Sequence, residues 1–237
     1  METGGTLVMV IYLAAAILPA VFLLRYIYKK DTIEKEPAGL LISLLVMGLC
    51  AAAVSIVLES LGENVLARVV SKDSPVYTLI LAFVVVAAVE EGSKLFFLKL
   101  RTWRNPNFNY RFDGVVYAVF VSLGFAAIEN VGYVLGYGLG VAVSRALLAI
   151  PGHMGFAVFM GSFYGRAKVC EAYGDTRGKK LNLWLGYLMA VVLHGFYDTC
   201  AMLGTSAASM VFLAFVGIMY GVVIRRIRSE TMSDRPI

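Results

Sequence analysis

Apolar residues run along this chain in blocks of about twenty or more, without the strict alternation that marks strands. A helix rising about 1.5 Å per residue needs roughly 20 apolar residues to cross a hydrocarbon core, so each block is long enough to span a membrane. Seven such blocks occur, at residues 6–27, 38–58, 77–98, 113–137, 145–165, 183–203 and 205–224, joined by short connections. The pattern predicts an all-α fold, a polytopic transmembrane helical bundle of about seven spans. With no internal repeat or low-complexity tract, residues 1–237 read as a single domain. The first block follows Met1-Glu2-Thr3, which carries no basic charge, and predicts a retained span rather than a cleaved signal peptide.

Composition agrees with the pattern. The chain is 59% hydrophobic and 16% charged, with a mean hydropathy of +0.78, which excludes disorder, coiled coil, collagen and any large soluble domain. All but four of its 21 Lys and Arg residues fall in alternate connections, around 25–35, 99–111, 166–180 and 225–235. The exceptions are Arg68, Lys72 and Arg145 in the opposite connections and Lys94 inside a span. The positive-inside rule then predicts the N-terminus outside and the C-terminus in the cytoplasm of a multi-pass cell-membrane protein. The net charge of +5 is absorbed by this topology, and no basic stripe with interleaved aromatics speaks for nucleic acid. Trp103 and Trp184 fall at the basic interface, where indole rings prefer to sit. Cys50, Cys170 and Cys200 lie at three different depths, which predicts no disulfide. Glycines recur every four residues at 132, 136 and 140 and again at 161 and 165, predicting close helix contacts, within one chain in preference to a dimer interface. The segment Glu63–Val76 reads either as an amphipathic stretch on the outer surface or as a plain loop.

A charged side chain at the bilayer centre costs from about 2.5 kcal/mol upward, so every one inside a span is a functional hypothesis. Span three carries Glu90, Glu91 and Lys94, span four Glu129, span five His153, and span six His194 and Asp198. The two histidines are the only ones in the chain. At 100° per residue Lys94 reaches either glutamate, and two carboxylates beside one ammonium favour a shared proton suited to acid–base work. His194 and Asp198 share a helix face at i and i+4, so the carboxylate can hold the imidazole's orientation. Gly195 beside the histidine leaves room for a substrate backbone. Phe125 and Glu129 repeat the i, i+4 spacing; Glu129 is free to accept from Lys94, orient a histidine or bind a metal. Pro151-Gly152 before His153 predicts a local helix break lining a wet cavity. Counting residues from the span ends places the cluster between the midplane and the outer leaflet, in a cavity open outward or sideways to lipid.

These residues resemble the PrsW family of bacterial intramembrane proteases, distantly similar to the CAAX-processing proteases. The resemblance rests on Glu90-Glu91-Gly92-Ser93-Lys94, Phe125 to Glu129, the separate His153, and His194 to Asp198, all in order and each in a span. It implies site-1 cleavage of a single-pass anti-sigma factor near the extracytoplasmic face of the bilayer, after which a site-2 protease acts on the product and a sigma factor is released. It further implies a glutamate-activated water, with Glu90, Glu91, His153 and His194 catalytic and Lys94, Phe125, Glu129 and Asp198 supporting them. No cofactor is expected, because the two histidines do not have helical metal-ligand spacing and a lysine beside the carboxylates opposes a cation. Zinc stays open as the alternative, since Glu and His are good ligands and the family has been grouped with metalloproteases. A non-hydrolytic proton-coupled transporter or sensor is the rival from another class. It would show paired broken helices, and only one break is predicted.

Overall fold

The computed structural model describes the backbone of residues 2–237 and the side chains from Thr6 onward. Nine α-helices appear among these residues: α1 Glu2–Lys30, α2 Ala38–Val69, α3 Pro75–Ile80, α4 Ala88–Thr102, α5 Asp113–Tyr137, α6 Gly140–Ser144, α7 Ile150–Ala172, α8 Thr176–Met202 and α9 Ser206–Met232. Two π-helical segments, Leu81–Ala87 and Arg145–Ala149, join α3 to α4 and α6 to α7 without interruption, so nine helices make seven rods. Six rods are long and apolar enough to cross a membrane. The remaining one, α3 through α4, carries Glu90, Glu91 and Lys94. Large apolar side chains such as Phe22, Ile56, Leu213 and Ile218 point outward, as they do on a bundle solvated by lipid.

Starts are set locally. Ser74 caps α3 by accepting from the Val76 amide at 3.2 Å, with Pro75 in the first turn. Asp175 and Thr205 cap α8 and α9 through the amides of Gly178 and Ala208 at 2.8 and 3.1 Å. The cap at Ser74 also resolves the segment after the second block: α2 continues to Val69 and a five-residue turn follows, so 63–69 is neither a surface-lying stretch nor a loop.

The innermost rod is α5, buried continuously from Asp113 to Ala126 and packed against α1, α2 and α7. Glycines let the backbones touch on two sides of it. A Cβ on Gly124 would lie 2.6 Å from the Leu45 carbonyl oxygen of α2, and one on Gly161 of α7 would lie 2.6 Å from the Val115 Cα. Helix association in lipid depends on such close packing, because burying apolar surface gains little there. The glycines at 132, 136 and 140 depart from expectation: a Cβ on any of them would meet open space. Gly195 departs as well. Its missing side chain is replaced by the Phe83 ring, with 2.7 Å between the would-be Cβ and Phe83 Cγ, so it serves packing rather than substrate.

The expected break at Pro151 takes the form of a π turn. The Ile150 amide bonds back to the Arg145 carbonyl, five residues earlier, and the helix runs on through Pro151. Proline cannot donate to the carbonyls of the preceding turn; the Tyr220 hydroxyl of α9 lies 2.9 and 3.0 Å from those of Leu147 and Leu148 and supplies the proton.

At the end of the bundle rich in Lys and Arg, the C-terminal residues dock onto the α4–α5 connection. The Arg111 amide donates to the Arg235 carbonyl at 3.1 Å and the Ile237 amide to that of Asn109 at 2.7 Å. Asp31 and Glu36, in the α1–α2 connection, are buried there, each with one carboxylate oxygen lacking a partner among the described residues. Burial pushes Asp31 up to about 6 against the pull of Lys35. Burial, with the Asp31 charge adding to it, pushes Glu36 up to about 7.

Two outcomes follow from this packing. Gly161→Leu should separate α5 from α7 and lower the thermal midpoint of the purified protein, while Gly136→Leu, facing open space, should leave it unchanged. Both raised carboxyls hold protons in the folded state that the unfolded chain releases near pH 4, so this end should lose stability as pH rises from about 4 to about 7. Hydrogen exchange of residues 31–37, corrected for intrinsic rate, should accelerate across that window, and Glu36→Gln should flatten the response.

Candidate active site

The buried charges of four rods form one network around a single ammonium group. Glu90, Glu91 and Lys94 occupy the first two turns of α4, directly after the π segment, and are 5%, 0% and 2% exposed. Lys94 Nζ lies 2.9 Å from Glu90 Oε2, 2.8 Å from Glu91 Oε1 and 3.2 Å from His153 Nδ1 of α7. Those three acceptors use all three ammonium protons. The charge also rests on the face of Phe125 of α5, 4.0 Å from the ring centroid.

From this hub two arms extend. On one, His194 of α8 places Nδ1 3.0 Å from Glu91 Oε1 and Nε2 3.3 Å from Asp198 Oδ2. Both ring nitrogens face carboxylate oxygens, so this bridge requires either an imidazolium or a proton on one acid. On the other, His153 Nε2 lies 2.9 Å from Glu129 Oε2. Because Lys94 can only donate, His153 Nδ1 must accept, which assigns its proton to Nε2 facing Glu129. Arg145, in the second π segment, holds the same Glu129 oxygen at 3.1 Å and donates from Nε to Asn130 at 2.8 Å. Asn130 in turn donates to the Ala16 carbonyl of α1 at 2.7 Å. Phe156 stacks on His194 with centroids 4.8 Å apart, and the two imidazoles stand 5.3 Å apart, nearly perpendicular.

A cavity of about 450 Å³ opens beside this network, lined by Glu90, Glu129, His153, His194 and Asp198, and reaching Tyr137 and Met202 at the last residues of α5 and α8. Its mouth is therefore at the end opposite the basic one. Glu90 lines it, whereas Glu91 is sealed behind, with Oε1 saturated by Lys94 and His194.

All eight side chains singled out in the sequence lie in this one assembly. Of the roles open to Glu129, the geometry takes the orientation of a histidine. Arg145 was missed as a site residue; its signal was to be the one cation between Arg111 and Arg166. Ser55 and Glu59 of α2, also on the cavity wall, were missed because Glu59 falls one residue beyond the second span as drawn to residue 58, and Ser55, within it, carries no charge to single it out.

One donor set suits a metal by chemistry: Glu90, Glu91, His153 and His194 each offer a ligand atom within 4.8 Å of the others. The Lys94 ammonium, 2.8–3.2 Å from three of these four residues, holds the place a cation would take. A divalent ion there would face a fixed positive charge at contact distance. The arrangement does not fit a bound metal while Lys94 stays in place.

Comparison with known proteins bears on the same residues. A family model described as PrsW family intramembrane metalloprotease matches residues 36–224. Protease PrsW of Halalkalibacterium halodurans is 31% identical over 225 residues, covering 94% of this chain and 98% of the relative. Protease PrsW of Oceanobacillus iheyensis is 32% identical over 216 residues, covering 91% and 94%, and that of Bacillus subtilis 30% over 190 residues, covering 78% and 80%. No solved structure matches the chain. Since the matched region contains every residue bonded to Lys94, the chain belongs to the PrsW family of intramembrane proteases, multi-pass bacterial membrane proteins that hydrolyse peptide bonds.

Proposed function

We propose that the chain is a single transmembrane protease domain of seven crossings, N-terminus outside, that cuts a single-pass anti-sigma factor near the extracytoplasmic face by a glutamate-activated water. The substrate class comes from the family resemblance, and the outward position from the basic connections at the end opposite the cavity mouth. The observation that carries the mechanism is the division of labour between the adjacent glutamates: Glu90 faces the cavity while Glu91 is spent on Lys94 and His194.

Glu90 is then the general base. It takes a proton from a cavity water as the water oxygen bonds to the scissile carbonyl carbon. Lys94 holds the carboxylate in place and offsets its charge, and Glu91 holds Lys94. His194, on the cavity wall and held at Nδ1 by Glu91, turns its Nε2 proton from Asp198 to the oxyanion and then gives it to the departing amine as the C–N bond breaks. His153, with its proton directed at Glu129, fixes the remaining face of Lys94. The proton gained by Glu90 passes by way of cavity water to the His194 Nε2 left bare, so the site ends as it began.

The test is cleavage of a co-reconstituted single-pass anti-sigma factor in proteoliposomes, read as new termini by mass spectrometry. Glu90→Gln should lower the rate by about 10²–10⁴-fold, the usual worth of a general base. Glu91→Gln and His194→Ala should be comparably impaired; undiminished cleavage by Glu90→Gln would move the catalyst elsewhere. Exhaustive chelation should leave the wild-type rate unchanged, and a loss restored by zinc alone would replace this mechanism with a metal-dependent one.

A further inference from the structure

Part of the cavity wall is formed by α2, which the mechanism does not use. It presents Ser55 and Glu59, one helical turn apart, to the cavity. Ser55 is 1% exposed, and its Oγ has no hydrogen-bond partner among the described residues; Glu59 Oε1 is buried and equally without one. Every other charged group lining the cavity is paired: Glu90 with Lys94, Glu129 with His153 and Arg145, and Asp198 with His194. Buried polar atoms are satisfied in nearly all folded proteins, and exceptions in a cavity call for a partner from outside. Two such exceptions lie side by side on α2; a third lining atom, Arg145 Nη2, makes no hydrogen bond but has its charge met by Glu129 at 3.1 Å.

Their spacing describes the partner. Four residues of helix separate the two acceptors by about 6 Å along α2. An extended peptide presents backbone N–H groups to one edge at every second residue, about 6.6 Å apart. A peptide must be unwound from helix for its carbonyl to be attacked, and in a low-dielectric cavity its freed N–H groups need acceptors. Resting on the protease reading above, we propose that Ser55 and Glu59 form the positioning site for the substrate backbone, accepting from alternate N–H groups of the extended segment and setting its scissile carbonyl against Glu90. They are positioning residues and touch no reacting atom.

The test uses the reconstituted protease with semisynthetic substrates in which single amides near the cut are replaced by esters, so that one N–H at a time is lost. Glu59→Ala should raise KM about tenfold with kcat within about threefold, as expected for one lost hydrogen bond to a buried acceptor. Glu59→Gln keeps an acceptor oxygen and should stay within about threefold of wild type. One ester should weaken wild-type binding about tenfold yet cost Glu59→Ala nothing further, and an ester two residues along should behave likewise against Ser55→Ala. A Gln variant as poor as the Ala variant, a loss falling on kcat, or ester effects that persist in the Ala variants would overturn the proposal. If Glu90→Gln still cleaves like wild type, the catalytic reading fails instead, so the two failures are distinct.

Discussion

Everything in this bundle depends on one buried ammonium. An unpaired lysine at 2% exposure would cost several kcal/mol in lost solvation, and three acceptors from two rods, with an aromatic face on a third, replace its water. Each acceptor is itself buried and needs a second partner, which recruits His194 and Asp198 on one side and Glu129 and Arg145 on the other. The network therefore ends only where it reaches cavity or backbone. Removing Lys94 would leave adjacent buried carboxylates with no cation between them, so the ammonium governs the geometry of every group bonded to it.

The glycine contacts of α5 and the two π segments put that network in register. Leu45 and Gly124 bring α2 against one side of α5, and Val115 and Gly161 bring α7 against another; the rods that carry Ser55 and His153 are thereby set at backbone distance from the rod that carries Phe125 and Glu129. Each π segment ends just before a site residue, at Ala87 before Glu90 and at Ala149 before His153. The wider turn shifts the phase of the whole helix that follows. At the second, the shift puts Arg145 and His153 on the same Glu129 oxygen. The cost of the irregular backbone is met by the Tyr220 hydroxyl from α9.

Helical phase within an unbroken segment was legible in the sequence: the pairs Glu90–Lys94 and His194–Asp198 meet as their spacing predicts, because each lies within regular α-helix. What crosses a π segment or joins two rods was not. Arg145 read as a flanking charge at the first residue of the fifth span because a window of apolar residues has no way to register a guanidinium neutralised by Glu129, and α2 was cut short where Glu59 and Glu63 lower its hydropathy. Gly132, Gly136 and Gly140 show the converse, since a repeat of small residues permits a close approach without requiring a neighbour to make one. Gly195 shows it again: the glycine gives space, and only the tertiary packing decides that Phe83 takes it.

The position of Lys94 also bears on the kind of hydrolysis the site can perform. A divalent ion at the centre of two glutamates and two histidines would polarise both water and carbonyl, and the surrounding groups would need only to hold it. An ammonium has no open coordination position, and here its three protons are already committed. In the mechanism proposed above it offsets charge on Glu90 without activating water, which is why that mechanism sends the proton to a carboxylate and meets the oxyanion with an imidazole. On that proposal the two adjacent glutamates divide the work: Glu90, which lines the cavity, would serve as base, and Glu91, whose Oε1 bonds both Lys94 and His194, would keep the cation in place.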